Sequence, residues 1–361
     1  MHAAGSNSCA QLGIGSTDDV HTLTPCRTRN GAFPEKGRVS QLVSNSSGTL
    51  AIVDSGELTL WSTGRVFGAS DVFEQVDVGM LLKEVGVCGS YVPVHVAAAW
   101  DCAHIVLRPA DGACEADILL AVGSHNEFGQ LGIGREPRPQ SSVHVVDFGR
   151  PVRITHMGAG LRHVAVAVSG GDIFGWGDAR HGQLGARPPA VKTPQRVSRV
   201  VHWMPVRVAT SSGAVSALAL GRGSTLVAWD GEPARVLALG PVSLDFERTD
   251  DGCYMIPNLV ALGSCWGTVV CIAGNPPRVH CSGLNTHFQC AGDGRQFSSP
   301  VLACGTEHAL VNSDCVYAWG WNEHGNLAQG DTRAYTDPVV LTRRATGVFG
   351  GCGSSFVDDA T

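Results

Sequence analysis

The stretch AVGSHNEFGQLGIG, residues 121–134, decides the fold, because the chain repeats it. It begins as a short apolar strand and continues as a polar loop with four glycines. Glycine tolerates positive φ and close backbone approach, where a Cβ would clash. Asn126 can hydrogen-bond its own backbone to build a turn, and Leu131 is the one large apolar side chain left to anchor the loop. The stretch therefore predicts a tight, rigid loop.

Four further copies of this stretch occur along the chain. They lie at 4–15, 175–185, 281–294 and 319–331. A second element, a turn followed by a short apolar run rich in β-branched residues, recurs six times. It is found at 47–53, 102–107, 161–166, 212–218, 265–270 and 306–311. Such runs are typical of strands buried on both faces.

The spacing of the copies predicts an all-β fold. Repeat origins fall near residues 4, 60, 121, 175, 228, 281 and 318, and the copies near 60 and 228 have lost the glycine loop. Seven units of four short strands predict a seven-bladed β-propeller, since radial closure protects sheet edges. We expect one propeller domain over residues 1–361, with its ring closed by the N-terminal strand around His2 to Gly5. Blade boundaries within 62–120 and 229–280 stay open.

The repeat also assigns structural roles to individual residues. His104, His163 and His308 fall at one position of the second element, where each is expected to satisfy buried backbone groups between blades. Glycines of the loop are expected to hold its backbone geometry; they include Gly5, Gly123 and Gly132.

Composition limits the partners and the compartment. The net charge is −6 without any basic run, which argues against direct contact with nucleic acid. The 13 cysteines form no CxxC pair and Met1 leads straight into HAAGSN, so a reducing, intracellular location is expected. The apolar runs are far shorter than the ~20 residues of a membrane helix. We therefore expect a soluble cytoplasmic protein, with the nucleus as an additional location left open.

No motif in the sequence predicts chemistry. His280-Cys281 and the segment His287 to Cys290 lack the paired spacing of a zinc site, and cysteine packs readily as a small apolar residue. The glycine-rich segment 221–225 lacks the lysine of a phosphate loop and leads into a strand. We expect no metal, no cofactor and no enzymatic activity.

The pattern G-x-N-x-x-x-Q-L-G-x-G resembles the regulator of chromosome condensation repeat family, whose members are seven-bladed propellers. The clearest matches are at 5–15, 123–134, 175–185 and 319–331, and the resemblance covers essentially the whole chain. The founding member of that family exchanges guanine nucleotide on a small nuclear GTPase and sits on chromatin through a basic tail. Because the first copy here starts at Ala4, no such tail is expected, which counts against that role.

A closer resemblance is carried by WGWNEHGN, residues 319–326. It looks like the fungal killer-toxin-insensitivity propeller, also known as the alpha-tubulin suppressor. This resemblance implies a non-catalytic adaptor that forms a heterodimer with a small zinc-ribbon electron carrier. Through that partner it would support Elongator-dependent wobble-uridine modification of tRNA and diphthamide synthesis. The alternative is a guanine-nucleotide exchange factor for a small GTPase, in which the segment Phe67 to Pro93 either forms an inserted wedge or supplies blade strands.

One residue departs from the rule of the repeat. Trp321 is a large aromatic where other copies carry small or polar residues, namely Ser6, Ser124 or Gly177. Since tryptophan dominates interface hot spots, Trp321 is a candidate partner-binding anchor. The neighbouring candidates are Asn322, Glu323 and His324. The alternative is that Trp321 covers the ring-closing blade.

Overall fold

A computed structural model describes residues 1–112, 116–135, 141–185, 200–210, 213–343 and 345–359. It confirms the predicted seven-bladed β-propeller: seven sheets, whose principal strands are antiparallel, follow one another around a ring. Within each blade the strands follow in order from the centre outward. The first strand of every blade lines a central channel.

The first three blades have the following strands. Blade 1 contains Arg38–Ser44, Gly48–Asp54, Leu58–Gly64 and Ser70–Gln75, with the short strands Arg27–Thr28 and Gly31–Ala32 at its outer edge. Blade 2 contains Tyr91–Ala98, Ala103–Pro109, Ile118–Val122 and Val143–Val145. Blade 3 contains Ile154–Ala159, His163–Val168, Asp172–Asp178 and Val201–Thr210.

The remaining blades complete the ring. Blade 4 contains Val215–Leu220, Thr225–Trp229, Ala234–Leu239 and Cys253–Ile256, with Glu247–Arg248 at its edge. Blade 5 has three strands among the described residues, Ala261–Cys265, Thr268–Ala273 and Arg278–Gly283. Blade 6 contains Val301–Cys304, His308–Asn312, Cys315–Gly320 and Val339–Arg343. Blade 7 contains Ala345–Gly350, Ser354–Asp359, His2–Gly5 and Val20–Pro25.

Blade 7 closes the ring with both ends of the chain. Strand His2–Gly5 pairs with Ser354–Asp359 on one side, in the register His2 to Val357, and with Val20–Pro25 on the other. Each strand of this blade is thereby hydrogen-bonded to its neighbours, so the closure predicted from the sequence is confirmed.

The second strands form the core, because neighbouring blades pack against both of their faces. His163–Val168 and Thr268–Ala273 are buried at every position. Their β-branched and small apolar side chains suit a pleated surface that is covered twice. The apolar runs seen in the sequence therefore reflect blade-to-blade packing.

One predicted repeat origin has to be corrected. Residue 228 lies on the second strand of blade 4, whereas the other six predicted origins lie on third strands. The reason is a tight turn in which the Gly221 amide donates to the Ser224 carbonyl, so that Thr225–Trp229 directly follows the first strand. This strand ends in the aromatic residue Trp229, and Trp176 and Trp319 lie near the ends of third strands. Its sequence therefore resembles that of a third strand.

The one helix of the described residues, Val78–Glu84, joins blades 1 and 2. Asp77 caps its N-terminus by accepting a hydrogen bond from the Met80 amide at 3.1 Å. Leu81 and Leu82 are buried against the core of these two blades. None of the described helices has the length and apolar character needed to cross a membrane.

A glycine with positive φ ends the third strand of every blade. These residues are Gly5, Gly64, Gly123, Gly177, Gly240, Gly283 and Gly320. At Gly177 a Cβ would lie 2.4 Å from the carbonyl oxygen of Arg162, in the turn between the first two strands. The same close approach is found at Gly320, 2.5 Å from the Glu307 carbonyl. In six of the seven blades a Cβ at this glycine would lie within 2.5 Å of backbone, whereas at Gly123 of blade 2 it would first meet the Cys102 side chain, at 2.9 Å.

Two glycine variants separate this steric demand from backbone strain alone. Gly177→Ala places a Cβ against backbone, whereas Gly134→Ala has the same positive φ with open space around the added atom. We expect Gly134→Ala to cost about 1 kcal/mol of unfolding free energy and Gly177→Ala about 1–3 kcal/mol more. Urea unfolding measures both. Equal losses in the two variants would contradict the steric account.

Candidate functional site

The two ends of the ring differ. One end, which we call the loop face, carries the turns between first and second strands and the long loops that follow third strands. The opposite end carries the helix Val78–Glu84. The repeated glycine stretch and Trp321 both lie on the loop face. The candidate partner-binding residues therefore belong to this face.

The polar residues of the repeated stretch are used inside their own loop. Asn126 is buried; its Oδ1 accepts from the Leu131 amide at 3.0 Å and its Nδ2 donates to the Gly134 carbonyl at 2.9 Å. Asn7 is buried in the same way and accepts from the Leu12 amide at 2.9 Å. These amides are fully occupied in shaping the loop.

The same loops also lock each blade to the next one. The indole Nε1 of Trp176 in blade 3 donates to the Gln130 carbonyl of the blade 2 loop at 3.1 Å. Gly132 lies against that indole, where a Cβ would come within 2.8 Å of the ring. Trp319 in blade 6 makes the equivalent bond to the Gln289 carbonyl of blade 5 at 2.9 Å. The repeated stretch is therefore an inter-blade latch.

Two of the three predicted structural histidines also reach from one blade to the next. His163 Nε2 donates to the Ser224 carbonyl at 3.2 Å and lies 3.0 Å from the Thr225 hydroxyl. His308 Nε2 lies 3.0 Å from the Ser355 hydroxyl. These two histidines lie opposite Gly177 and Gly320 in the register of their strands.

The prediction that His104 shares this position is wrong. His104 lies opposite Ala121, two residues further along its strand, and packs against Trp176 of the next blade. The turn of blade 2 closes where the Ala99 amide donates to the Cys102 carbonyl, so Cys102 holds the equivalent position. The shift of two residues keeps the side chain on the same face of the strand, which is why His104 is also completely buried.

Burial keeps all three histidines neutral. It lowers the pKa of His163 and of His308 to about 4, and the pKa of His104 to about 3. Neutral, enclosed imidazoles cannot exchange protons with a bound substrate near pH 7. Their contribution is to the architecture of the ring.

Acid should consequently destabilise the ring. Below about pH 6.5 the unfolded chain binds protons on these histidines while the folded chain does not, until about pH 4 is reached for His163. The free energy of unfolding should fall over this interval, by up to about 1.4 kcal/mol per pH unit for each histidine. In His163→Gln, urea unfolding between these pH values should show a smaller slope. A variant with the slope of the unchanged protein would contradict the assignment.

The four predicted partner-binding residues differ in accessibility. Trp321 and His324 are partly exposed and Glu323 is exposed, whereas Asn322 is buried. Asn322 is the loop-shaping asparagine of blade 6, accepting from the Leu327 amide at 2.8 Å. His324 Nδ1 lies 2.6 Å from Asp19 Oδ2, which ties the loops of blades 6 and 7 together. Three of the four side chains are therefore available at the surface.

The residue compared with Trp321 in blade 3 also has to be corrected. Because Gly177 and Gly320 are equivalent strand-ending glycines, Asp178 and not Gly177 corresponds to Trp321. Asp178 is polar, so Trp321 still differs from the small or polar residues at this position in the copies compared. The indole of Trp321 packs edge-on against the His324 ring, with centroids 5.1 Å apart. Its centroid lies 6.4 Å from that of the His287 ring of blade 5.

The buried placement of Asn322 is testable against its neighbour. Asn322→Ala should lower the unfolding free energy by about 2–3 kcal/mol, because the Leu327 amide and two loop carbonyls lose their partner. Glu323→Ala, one residue along and exposed, should change it by less than about 0.5 kcal/mol. Thermal and urea unfolding measure the pair. A stable Asn322→Ala protein that loses only partner binding would contradict this placement.

Two further tryptophans on the loop face were not singled out from the sequence. Trp100 and Trp266 occupy the same corner of the turn between first and second strands, in blades 2 and 5. The corner residues of the seven blades are Ser46, Trp100, Leu161, Arg222, Trp266, Thr306 and Cys352. The two indoles meet over the mouth of the channel, with ring centroids 5.6 Å apart. Their departure from the other corners is visible once the turns are aligned by strand register.

An apolar groove of about 550 Å³ lies beside Trp266. Its walls are Pro241 to Ser243 of blade 4 and Ser282 to Leu284 of blade 5, and Arg222 lies at its edge. Leu284 follows the strand-ending Gly283, so it occupies the position that Trp321 has in blade 6; its side chain is 57% exposed. We call Trp100, Trp266, Leu284 and Trp321 the apolar patch.

Nothing among the described residues indicates a metal centre, since no group of three His, Cys, Asp or Glu side chains is arranged to hold an ion. The segment Phe67 to Pro93 does not project as a wedge. It contains Ser70–Gln75, the helix Val78–Glu84 with its buried Leu81 and Leu82, and the beginning of Tyr91–Ala98, and the helix lies on the face opposite the apolar patch. Of the two interpretations of this segment, the structure supports its incorporation into the blades.

Comparison with known proteins agrees with this architecture. A bovine protein named secretion-regulating guanine nucleotide exchange factor is 25% identical over 98% of this chain and 81% of its own length. An RCC1 repeat-containing protein of Schizosaccharomyces pombe is 27% identical over 69% of this chain and 67% of its own length. No protein-family model matches the chain.

Among solved structures, Prp20p of Saccharomyces cerevisiae superimposes with a TM-score of 0.71 at 16% identity, covering all of this chain and 91% of Prp20p. That structure was described together with the binding of Prp20p to Gsp1p and histones. The repeats and the closed ring define a seven-bladed β-propeller, and these relatives show that it is similar to RCC1-type propellers.

Proposed function

We propose that the chain is a non-catalytic, protein-binding propeller that docks its partner on the loop face through the apolar patch. The observation that carries the proposal is the placement of the patch. Three tryptophans and a leucine lie on one face, at turn and loop positions where most other blades have small or polar residues; Leu161, at the corner of blade 3, is an exception. Packing of the ring does not require large side chains at these positions, so contact with a partner explains them.

Exposure and surroundings of the patch fit a docking surface. Trp100 is 39% exposed, and Trp266 and Trp321 are partly exposed, so a partner would remove apolar surface from water. Arg222 and Glu323 are exposed nearby and supply a polar rim. Aromatic anchors inside a charged rim are the usual anatomy of a protein interface.

A small GTPase is the partner class we favour. The bovine relative, which matches 98% of this chain, carries the name of a guanine nucleotide exchange factor. An exchange factor holds a GTPase in a form that releases its nucleotide and breaks no covalent bond, so it needs a rigid docking surface and no catalytic group. The latched ring supplies such a surface.

An adaptor for a zinc-ribbon electron carrier is the second candidate, supported by the resemblance of Trp319 to Asn326. In that role the protein would serve tRNA wobble-uridine modification and diphthamide synthesis. Much of the segment is explained by architecture, however: Trp319, Asn322 and Asn326 are buried, and Gly325 packs on His21. Its resemblance therefore carries less information about a partner than about the loop, and the GTPase is preferred.

Co-purification with the full chain tests both candidates. Purified GTPases in nucleotide-loaded and nucleotide-free forms would be one arm, and a purified zinc-ribbon protein the other. For the true partner, Trp266→Ala and Trp321→Ala should each weaken binding by about 2 kcal/mol or more, which is about thirty-fold. For a GTPase, both variants should also slow nucleotide release.

The matched control is Val260→Ala. Val260 is an exposed apolar residue immediately before the first strand of blade 5, on the face opposite the patch. This change should leave binding and nucleotide release unaffected. The proposal fails if the two tryptophan variants bind like the unchanged protein, or if Val260→Ala is the variant that loses binding.

A further inference from the structure

Four latch loops are anchored by the same pair of positions. A small residue two positions before the strand-ending glycine packs beneath the loop leucine. At Gly175 a Cβ would lie 2.6 Å from Leu184 Cδ2, and the other pairs lie together in the blade cores. The pairs are Ala3 with Leu12, Ala121 with Leu131, Gly175 with Leu184 and Ala318 with Leu327.

Blade 5 replaces both members of this pair with cysteine. Cys281 lies two residues before Gly283, where blade 6 has Ala318. Cys290 takes the place of the leucine, because its amide donates to Asn285 Oδ1 at 2.9 Å as the Leu131 amide does to Asn126. Both members of a packed pair are thus cysteine in blade 5, and two cysteines at such positions can be joined by a disulfide.

Both thiols are free, and they occupy two positions that pack together in the other latch loops. Interaction with the Cys281 thiol lowers the pKa of Cys290, and interaction with Cys290 raises the pKa of Cys281. Both residues are partly accessible to solvent. A neighbouring pair, Cys265 with Cys304, is less suited to reaction, because Cys265 is buried and its thiol donates to the His308 carbonyl at 3.1 Å.

We propose that Cys281 and Cys290 form a redox-modification site at which a peroxide oxidises the pair to a disulfide. The Cys290 thiolate attacks a peroxide oxygen; an S–O bond forms, the O–O bond breaks, and the released oxygen leaves as water or an alcohol after taking a proton. The Cys281 sulfur then attacks the sulfenic acid, an S–S bond forms and a second water departs with the thiol proton. Two electrons pass from the thiols to the peroxide.

In blade 5 a disulfide would hold the latch loop to the third strand by a covalent bond, where other blades use apolar packing. It would join the third strand of blade 5 to a loop that also carries His287, which lies beside Trp321, and Gln289, which binds the indole of Trp319. Oxidation would therefore restrict the loop that borders the apolar patch. This consequence for binding rests on the proposed function, whereas the oxidation itself does not.

The repeat supplies variants that preserve packing. Cys281→Ala and Cys290→Leu restore the residues of the other blades, so both are expected to fold. Cys88→Ser is the control, since Cys88 is exposed and lies outside blade 5. The reduced full chain would be treated with hydrogen peroxide, digested without reductant and mapped by mass spectrometry.

The expected first product is a peptide pair linked between Cys281 and Cys290, lighter by two hydrogens than the separate peptides. It should form in the unchanged protein and in Cys88→Ser and should be absent from the two repeat-restoring variants. In Cys281→Ala, dimedone should trap a sulfenic acid on Cys290. A first disulfide elsewhere, or a Cys290 that dimedone does not label in Cys281→Ala, would overturn the proposal.

Partner binding by the oxidised and by the reduced protein tests whether the disulfide alters docking, independently of whether the disulfide forms. Once a partner is found, the oxidised protein should differ from the reduced one in its dissociation rate, and Cys290→Leu should remove the difference. An identified disulfide with identical binding in both states would support the site and overturn its link to docking. Failure of Trp321→Ala to affect binding would instead count against the proposed function alone.

Discussion

The contact between a strand-ending glycine and the turn beside it is the constraint on which the loop face depends. At Gly177 the third strand passes so close to the Arg162 carbonyl that no side chain fits. Six of the seven blades repeat this approach to backbone, so their loops leave the third strand at equivalent positions. The loop can then reach the next blade, as Gln130 does in accepting from Trp176. Ring geometry and loop geometry are thus set by one steric requirement.

This requirement, and the latches built on it, identify which side chains are structural and therefore which remain available for function. Asparagine, glutamine and histidine side chains that look like candidates for chemistry are used inside latches; Asn126 and His163 are examples. Buried polar groups with their partners in place stabilise a unique arrangement and leave nothing for a substrate. What remains for a partner is the set of positions that the latches leave unconstrained. On the loop face these positions include the four residues of the apolar patch, Trp100, Trp266, Leu284 and Trp321.

Sequence reasoning recovers the features that repetition makes visible. The seven blades and the ring closure follow from copies of residues 121–134, because each copy imposes the same turn and strand. It fails where a copy has drifted: residue 228 lies on a second strand, and His104 stands two positions from its presumed equivalents. Trp100 and Trp266 were missed for the same reason. Strand register alone shows that they share a corner, and no spacing in the sequence reveals how the turns align.

Hydrogen exchange on the complex tests the central claim most directly, namely that function lies where the repeat deviates on the loop face. With a bound partner, amides around Trp100, Trp266, Leu284 and Trp321 should gain protection, while the opposite face around Val78–Glu84 should exchange as in the free protein. Protection confined to that opposite face, with the four patch segments unchanged, would contradict the account.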